Sequence, residues 1–166
     1  MSLARNEAYK AWIAATLWLG LIAVESTDLF SSANTGHILY PLLTFLFGPI
    51  DLVKFSYWHQ VLRKAGHVIG YGMLSFLLFR AWRATLPVAN ASRWSWKWCR
   101  TALLMTALVA ALDEWNQSFL ASRTGKFSDV VLDTSGAIMV QLIIFWLLKG
   151  WRSHVVRTPT YPSRFQ

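Results

Sequence analysis

The sequence has few charged residues and almost no cysteine. Charged residues make up 14% of its 166 residues, against roughly 25% in an ordinary soluble domain, so the composition argues against a soluble enzyme. The single cysteine, Cys99, excludes an intrachain disulfide and a metal site built from several cysteines. Disorder is excluded as well, because 55% of the residues are hydrophobic, with ten Trp and ten Phe. The composition therefore predicts a membrane protein.

Four predominantly apolar stretches contain no Lys, Arg, Asp or Glu and are candidates for membrane-spanning helices. They are residues 11–24, 65–79, 101–112 and 134–148. Each is shorter than the roughly 20 residues that a spanning helix needs, so a full span must include charged residues at its ends. We predict an all-α integral membrane bundle of four transmembrane helices. The first stretch also has the length of the hydrophobic region of a cleaved signal peptide, and whether it is retained stays open.

Positive charge is concentrated at one end of the predicted bundle. Eleven of the sixteen basic residues lie in the N-terminus, between the second and third stretches, and after the fourth. Short cytoplasmic loops carry an excess of Lys and Arg, which predicts a multi-pass protein of the inner (cytoplasmic) membrane with both termini in the cytoplasm. The net charge of +8 is then a topology signal, and no nucleic-acid partner is predicted. Residues 1–150 form the predicted membrane domain, and residues 151–166 a basic cytoplasmic tail.

The predicted outer loop between the first and second spans is long and partly apolar. Residues 38–50 are nearly all apolar, but Pro41 and the pair Gly48 and Pro49 interrupt them. This segment is too short to span a bilayer, and irregular backbone is tolerated at membrane depth only where protein covers it. We therefore predict a re-entrant or interfacial segment in this loop.

Ionisable residues lie near the outer end of every predicted span. Counted from the basic end of each span, Glu25, His67, Asp113 and Asp133 all lie roughly 20 to 24 Å from the cytoplasmic boundary. Such groups are costly inside a membrane and usually face a bundle interior or a wet cavity. We therefore predict that they form one functional cluster.

The second span carries its polar residues on one helical face. Lys64, His67 and Tyr71 follow i, i+3, i+7 spacing, which places them in one stripe. Gly66 and Gly70 on the same span predict a close approach by a neighbouring helix. We expect Lys64 to bind substrate, and His67 and Tyr71 to assist proton transfer. The alternatives are a lysine that reaches the headgroups and a histidine with a purely structural hydrogen bond.

The third span ends in two adjacent acids, which packing alone explains poorly. Asp113 and Gln117 share a face at i, i+4, whereas Glu114 is rotated by about 100°. We predict that Asp113 or Glu114 is the acid/base group and that Gln117 contacts substrate. The alternatives are solvation beyond the helix end and a structural ion pair with Lys64 or Arg123.

A short polar hairpin, residues 121–128, joins the third and fourth spans. Arg123 and Lys126, together with the loop N–H groups, suit an anion such as phosphate or carboxylate. Asp129 and Asp133, four residues apart on the fourth span, are further predicted substrate-binding residues. Asp129 is alternatively a first-turn acid that stabilises the helix.

Three stretches together resemble the VanZ-like family of small bacterial membrane proteins. They are residues 30–36, 63–78 and 113–137, with the sequences FSSANTG, RKAGHVIGYGMLSFLL and DEWNQSFLASRTGKFSDVVLDTSGA. The resemblance implies an envelope-associated role connected with resistance to the glycopeptide antibiotic teicoplanin. It also implies motif positions without assigned roles at Lys64, His67, Tyr71, Asp113, Glu114, Gln117, Arg123, Asp129 and Asp133.

The residues and the resemblance together predict the function in outline. An outward-facing polar pocket is expected to bind, hydrolyse or transfer an anionic, lipid-linked envelope substrate. The alternative is a non-enzymatic binder, carrier or proton relay whose polar cluster is structural. The expected partners are membrane lipids and a lipid-linked precursor or other amphiphile. Enzymatic activity, cofactors, metals and oligomeric state stay open at this stage.

Overall fold

The computed structural model describes residues 2–86, 93–120, 123 and 125–150. Within these ranges all regular structure is helical, which confirms the predicted all-α class. The predicted tail, residues 151–166, lies outside the described residues. The elements are α1 (Ser2–Glu25), a 3-10 turn (Asp28–Phe30), α2 (Ser32–Phe47), α3 (Leu52–Thr85), α4 (Trp96–Gln117) and α5 (Phe127–Gly150).

Helices α1, α3, α4 and α5 pack side by side, and α3 contacts the other three. At one end of this bundle the indole of Trp12 on α1 donates to the Thr85 hydroxyl on α3 over 2.9 Å. At the same end the Trp98 indole on α4 donates to the Leu86 carbonyl over 2.8 Å. The C-terminal part of α5 lies at this end as well, since Phe145 contacts Trp94, and successive bundle helices therefore run antiparallel.

Small residues bring α3 and α5 together, but not the ones predicted. A Cβ atom on Gly72 would lie 2.9 Å from a side chain of α5, and one on Gly136 would overlap the Val68 carbonyl oxygen. A Cβ atom on Gly66 or Gly70 would meet nothing within 4 Å. The predicted close helix approach at Gly66 and Gly70 is therefore wrong.

A tryptophan explains the open space beside Gly70. The indole of Trp18, on α1, donates to the Gly70 carbonyl over 2.8 Å. A bulky side chain from α1, rather than the backbone of a neighbouring helix, thus contacts α3 at this point.

Two helical segments are long and apolar enough to cross a membrane, Arg5–Glu25 and Phe127–Leu148. A third candidate is the bent pair Ser32–Phe47 and Leu52–Thr85, whose axes differ by 119°. Helix α4 does not meet the same criterion, because charged residues lie at both of its ends. A helical membrane bundle is therefore supported, whereas four spans stay a prediction.

The predicted re-entrant or interfacial segment is itself a helix. The Ser31 hydroxyl accepts from the backbone N–H of Asn34 at the start of α2. The helix continues through Pro41, although a proline in a helix interior removes one backbone hydrogen bond; the predicted break there is wrong. It ends at Gly48, where φ is 86°, a conformation that glycine adopts without steric cost. Asp51 then caps α3.

Helix α3 is longer than the predicted second span. It has 34 residues and begins at Leu52, so residues 52–63 are helical and not part of an irregular outer loop. These residues and α2 form a helical hairpin at the end of the bundle opposite Trp12.

Candidate functional site

Charged side chains from several helices converge on one cavity of about 260 Å³. It lies near the C-terminal end of α4 and the N-terminal end of α5, away from the basic end of the bundle. We call it the charged cavity. Its ionisable lining residues are Arg63, Lys64, His67, Glu114, Arg123, Lys126, Asp129 and Asp133.

The deepest acid of the charged cavity is Asp133. Its side chain is fully buried, and its Oδ2 lies 3.4 Å from Nδ1 of His67. Among the described residues, none hydrogen-bonds to its Oδ1. Buried polar atoms nearly always have a partner, so this oxygen is an acceptor that the surrounding side chains leave unsatisfied.

Asp113 lies outside the charged cavity and joins three helices. Its Oδ2 accepts from the Tyr71 hydroxyl over 2.7 Å and from Nε2 of Gln117 over 3.1 Å. Its Oδ1 accepts from the hydroxyl of Ser26. The structure thus places Asp113 and the buried Tyr71 in a hydrogen-bonded network beside the charged cavity, which Gln117 also lines.

Glu114 faces the charged cavity and holds the hairpin before α5. Its buried carboxylate accepts from the backbone N–H of Lys126 over 2.8 Å. The hairpin backbone approaches α4 so closely that a Cβ atom on Gly125 would overlap the Glu114 carbonyl oxygen. Glycine is therefore required for this approach. Glu114 thus lines the charged cavity while its Oε2 accepts from the hairpin backbone.

Arg123 reaches from the hairpin to the end of α1. Its guanidinium Nη2 donates to the carbonyls of Glu25 and Thr27 over 2.6 and 3.0 Å. The Glu25 carbonyl is at the C-terminus of α1 and lacks a helical donor, whereas the Thr27 carbonyl also accepts from the Phe30 N–H of the 3-10 turn. Arg123 also lines the charged cavity, and its role in binding substrate stays a prediction. Thr124, in the same predicted turn, lies outside the described residues.

Lys64 and Lys126, at the rim of the charged cavity, have weaker contacts with the protein than the cavity arginines. Lys64 Nζ lies 3.7 Å from Oδ1 of Asp129, and the Lys64 side chain is 63% exposed. Ion pairs this exposed contribute little to stability. Lys126 is exposed at the cavity edge. Both ammonium groups are therefore available to pair with a bound anion at small cost to the fold.

Two cavity residues on α3 were not among the predicted site residues. Arg63 donates to the Phe30 carbonyl over 2.7 Å, and Gln60 lines the cavity one turn earlier on the helix. Their spacing of four and seven residues before His67 was a usable signal. It was missed because residues 52–63 were assigned to a loop.

The described residues form no metal centre. No group of three or more His, Cys, Asp or Glu side chains among them is arranged to hold an ion. The groups that converge are cationic side chains, the half-buried His67 imidazole beside the buried Asp133 carboxylate, and Glu114. This set is chemically suited to binding an anion and to moving a proton beside it.

Comparison with protein families identifies the chain. The VanZ/LLP1 family model matches residues 11–149, which is most of the sequence. The chain belongs to the VanZ/LLP1 family. All the cavity residues of this VanZ/LLP1 protein fall within the matched region. No curated protein and no solved structure matches the chain.

Proposed function

We propose that this VanZ/LLP1 protein is an envelope-associated membrane protein whose charged cavity binds the phosphate or carboxylate headgroup of a membrane amphiphile. The observation that carries the proposal is the placement of Arg63, Lys64 and Lys126 around one cavity at the end of an apolar bundle. Charge-assisted hydrogen bonds from such groups are the usual means of holding these anions. Family membership supports the connection with envelope functions of the resistance type.

Acidic side chains of the charged cavity can take part in proton transfer beside a bound headgroup. The 3.4 Å contact with Asp133 orients the His67 ring, and a carboxylate that orients an imidazole is the arrangement used in general acid/base catalysis. The unsatisfied Oδ1 of Asp133 is placed to accept from a ligand hydroxyl. We infer proton transfer by His67 and Glu114 during hydrolysis or transfer at an envelope precursor. Asp113 and Tyr71 hold the fold around them.

Lipid retention tests the binding step. Wild-type protein and the Lys64→Gln, Lys126→Gln double variant are reconstituted in phosphatidylcholine nanodiscs containing some phosphatidic acid. Native mass spectrometry then measures the phosphatidic acid retained after release. We expect the double variant to retain about tenfold less, because both mobile cations at the rim are lost. Lys54→Gln, an exposed lysine on α3 outside the charged cavity, is the matched control. Equal retention by all three proteins would refute the proposal.

A purely structural role for the polar residues is the second candidate. The observation that favours it is the set of hydrogen bonds to Asp113 from Ser26, Tyr71 and Gln117. In that case the protein is a non-enzymatic binder, carrier or relay. The stability of an Asp113 variant relative to cavity variants separates the two candidates.

A further inference from the structure

A second groove lies in the helical hairpin formed by α2 and the start of α3. Its volume is about 590 Å³, and its walls include Tyr40, Pro41, Leu52 and Phe55. The walls are therefore mainly aromatic and aliphatic, in contrast to the charged cavity. We call this space the apolar groove.

The apolar groove adjoins the charged cavity. Ser32 of α2 and Gln60 of α3 line both spaces. Phe55 of the groove lies nine residues before Lys64, so the lining changes from cationic to apolar over about 14 Å along α3. This arrangement matches an amphiphile, whose anionic headgroup would lie beside the cationic lining and whose hydrocarbon chain would lie beside the apolar lining.

Internal contacts hold the groove open. His59 at its floor is buried, stacks on Phe55 with ring centroids 5.4 Å apart, and lies 3.2 Å from the Thr35 hydroxyl. The Tyr40 hydroxyl donates to the Ile50 carbonyl over 3.0 Å across the bend between the helices. The two walls are thus tied at both ends. A groove fixed in this way is a preformed site rather than a gap left by loose packing.

The outer surface of the hairpin is suited to contact with lipid. Phe45 and Phe47 of α2 are 85% and 77% exposed. Large exposed apolar surfaces of this kind mark membrane or protein contacts. This face of the hairpin is therefore expected to lie against the bilayer.

We propose that the apolar groove holds a hydrocarbon chain of the same amphiphile whose headgroup occupies the charged cavity. This inference rests on the proposed function and extends it to the ligand's chain. Lipid tails are as apolar as the groove walls, so transfer of a chain from bilayer to groove adds little affinity. The groove determines where the chain lies and so orients the headgroup toward His67 and Glu114.

The experiment that tests this inference measures where the acyl chain of a bound lipid lies. The probe is phosphatidic acid with a diazirine midway along one acyl chain, present as a minor component of phosphatidylcholine nanodiscs. After irradiation, peptide mass spectrometry locates the adducts that excess unlabelled phosphatidic acid prevents. We expect these adducts to concentrate in residues 33–41 and 52–60. Ser56→Trp, which fills the groove from an exposed position, should reduce them at least fivefold.

Matched controls separate filling of the groove from general disturbance. Val53→Trp places the same side chain on the same helix outside the groove lining and should leave the labelling unchanged. Ala33→Trp fills the groove from α2 and should act as Ser56→Trp does, whereas Ile38→Trp on α2 should not. Ser56 lies on α3 and Ala33 on α2. If both substitutions reduce the labelling, misfolding of one variant does not explain the result.

The outcomes distinguish this inference from the proposed function. Competed adducts spread over the whole bundle and unaffected by Ser56→Trp would overturn the groove assignment. The proposed function would still stand if phosphatidic acid retention depended on Lys64 and Lys126. If retention did not depend on these lysines, the proposed function would fall, and the groove assignment with it.

Discussion

Two adjacent acids on α4 have different surroundings because one helical residue step turns the side chain by about 100°. Asp113 faces α1 and α3, where Ser26, Tyr71 and Gln117 donate to it. Glu114 faces the hairpin and the charged cavity, where it accepts from the Lys126 N–H. These surroundings lead us to propose a structural role for the first acid and a chemical role for the second.

The hydrogen bonds of Asp113 predict a large effect of its removal on stability. Asp113→Ala leaves the Tyr71 hydroxyl and the Gln117 amide without their acceptor. We expect the free energy of unfolding in detergent to fall by about 2 to 4 kcal/mol, since each unsatisfied buried group costs about 1 to 3 kcal/mol. Asp129→Ala is the control and should cost under about 1 kcal/mol, because its partner Lys64 is exposed. Denaturant titration followed by tryptophan fluorescence measures both.

Equal stability of the two variants would show that the Asp113 network contributes nothing to the fold. The acid would then have to be reconsidered as a reactive group. A strongly destabilised Asp113 variant beside stable cavity variants supports the separation of structural and functional acids.

The polar face of α3 was predictable from the sequence, but its partners were not. Spacing alone put Lys64, His67 and Tyr71 in one stripe, and the structure places partners for all three across the bundle at Asp129, Asp133 and Asp113. Periodicity determines which residues share a face. The partner of each residue depends on how the neighbouring helices are rotated and how deep they lie. The sequence of one helix does not determine this.

At the scale of helices, the approach of α3 and α5 predicts which glycines tolerate a side chain. We expect Gly136→Ala to lower the free energy of unfolding by about 1 to 3 kcal/mol, the usual cost of overpacking, because its Cβ atom would overlap the Val68 carbonyl. Gly66→Ala should be neutral or stabilising by up to about 1 kcal/mol, since alanine favours a helix and the site is open. Thermal unfolding in detergent compares them. The opposite ranking would mean that α3 contacts another helix through Gly66.

Two helix boundaries were predicted wrongly from the sequence, each because of particular residues. Pro41 was taken as a break, yet α2 runs through it and ends only at Gly48. Residues 52–63 were assigned to a loop because Lys54 and Arg63 interrupt the apolar pattern, yet they continue α3. Hydrophobic runs identify the apolar part of a helix and underestimate its length where the ends are polar.

At the scale of the whole molecule, the packing of α4 supports a fourth crossing that its composition alone does not. Leu104 and Leu108 are 64% and 60% exposed on its outer face, and the helix packs against α3 and α5. Exposed apolar residues on a helix within the bundle are expected to face lipid. If α5 crosses the membrane, its antiparallel neighbour α4 shares the same depth.

This argument predicts that the charged cavity opens on the side of the membrane opposite the termini. Two variants with one cysteine each are made in a Cys99→Ser background. Ser128→Cys lies near the charged cavity, and Arg83→Cys lies near the basic end of the bundle. Both native residues are exposed. We expect a membrane-impermeant maleimide to label Ser128→Cys in right-side-out vesicles, and Arg83→Cys only after permeabilisation, because an excess of Lys and Arg is typical of cytoplasmic loops. The reverse pattern would place the cavity in the cytoplasm and exclude envelope precursors on the outer face as its ligands. Labelling of both without permeabilisation would show that the helices between these positions do not cross.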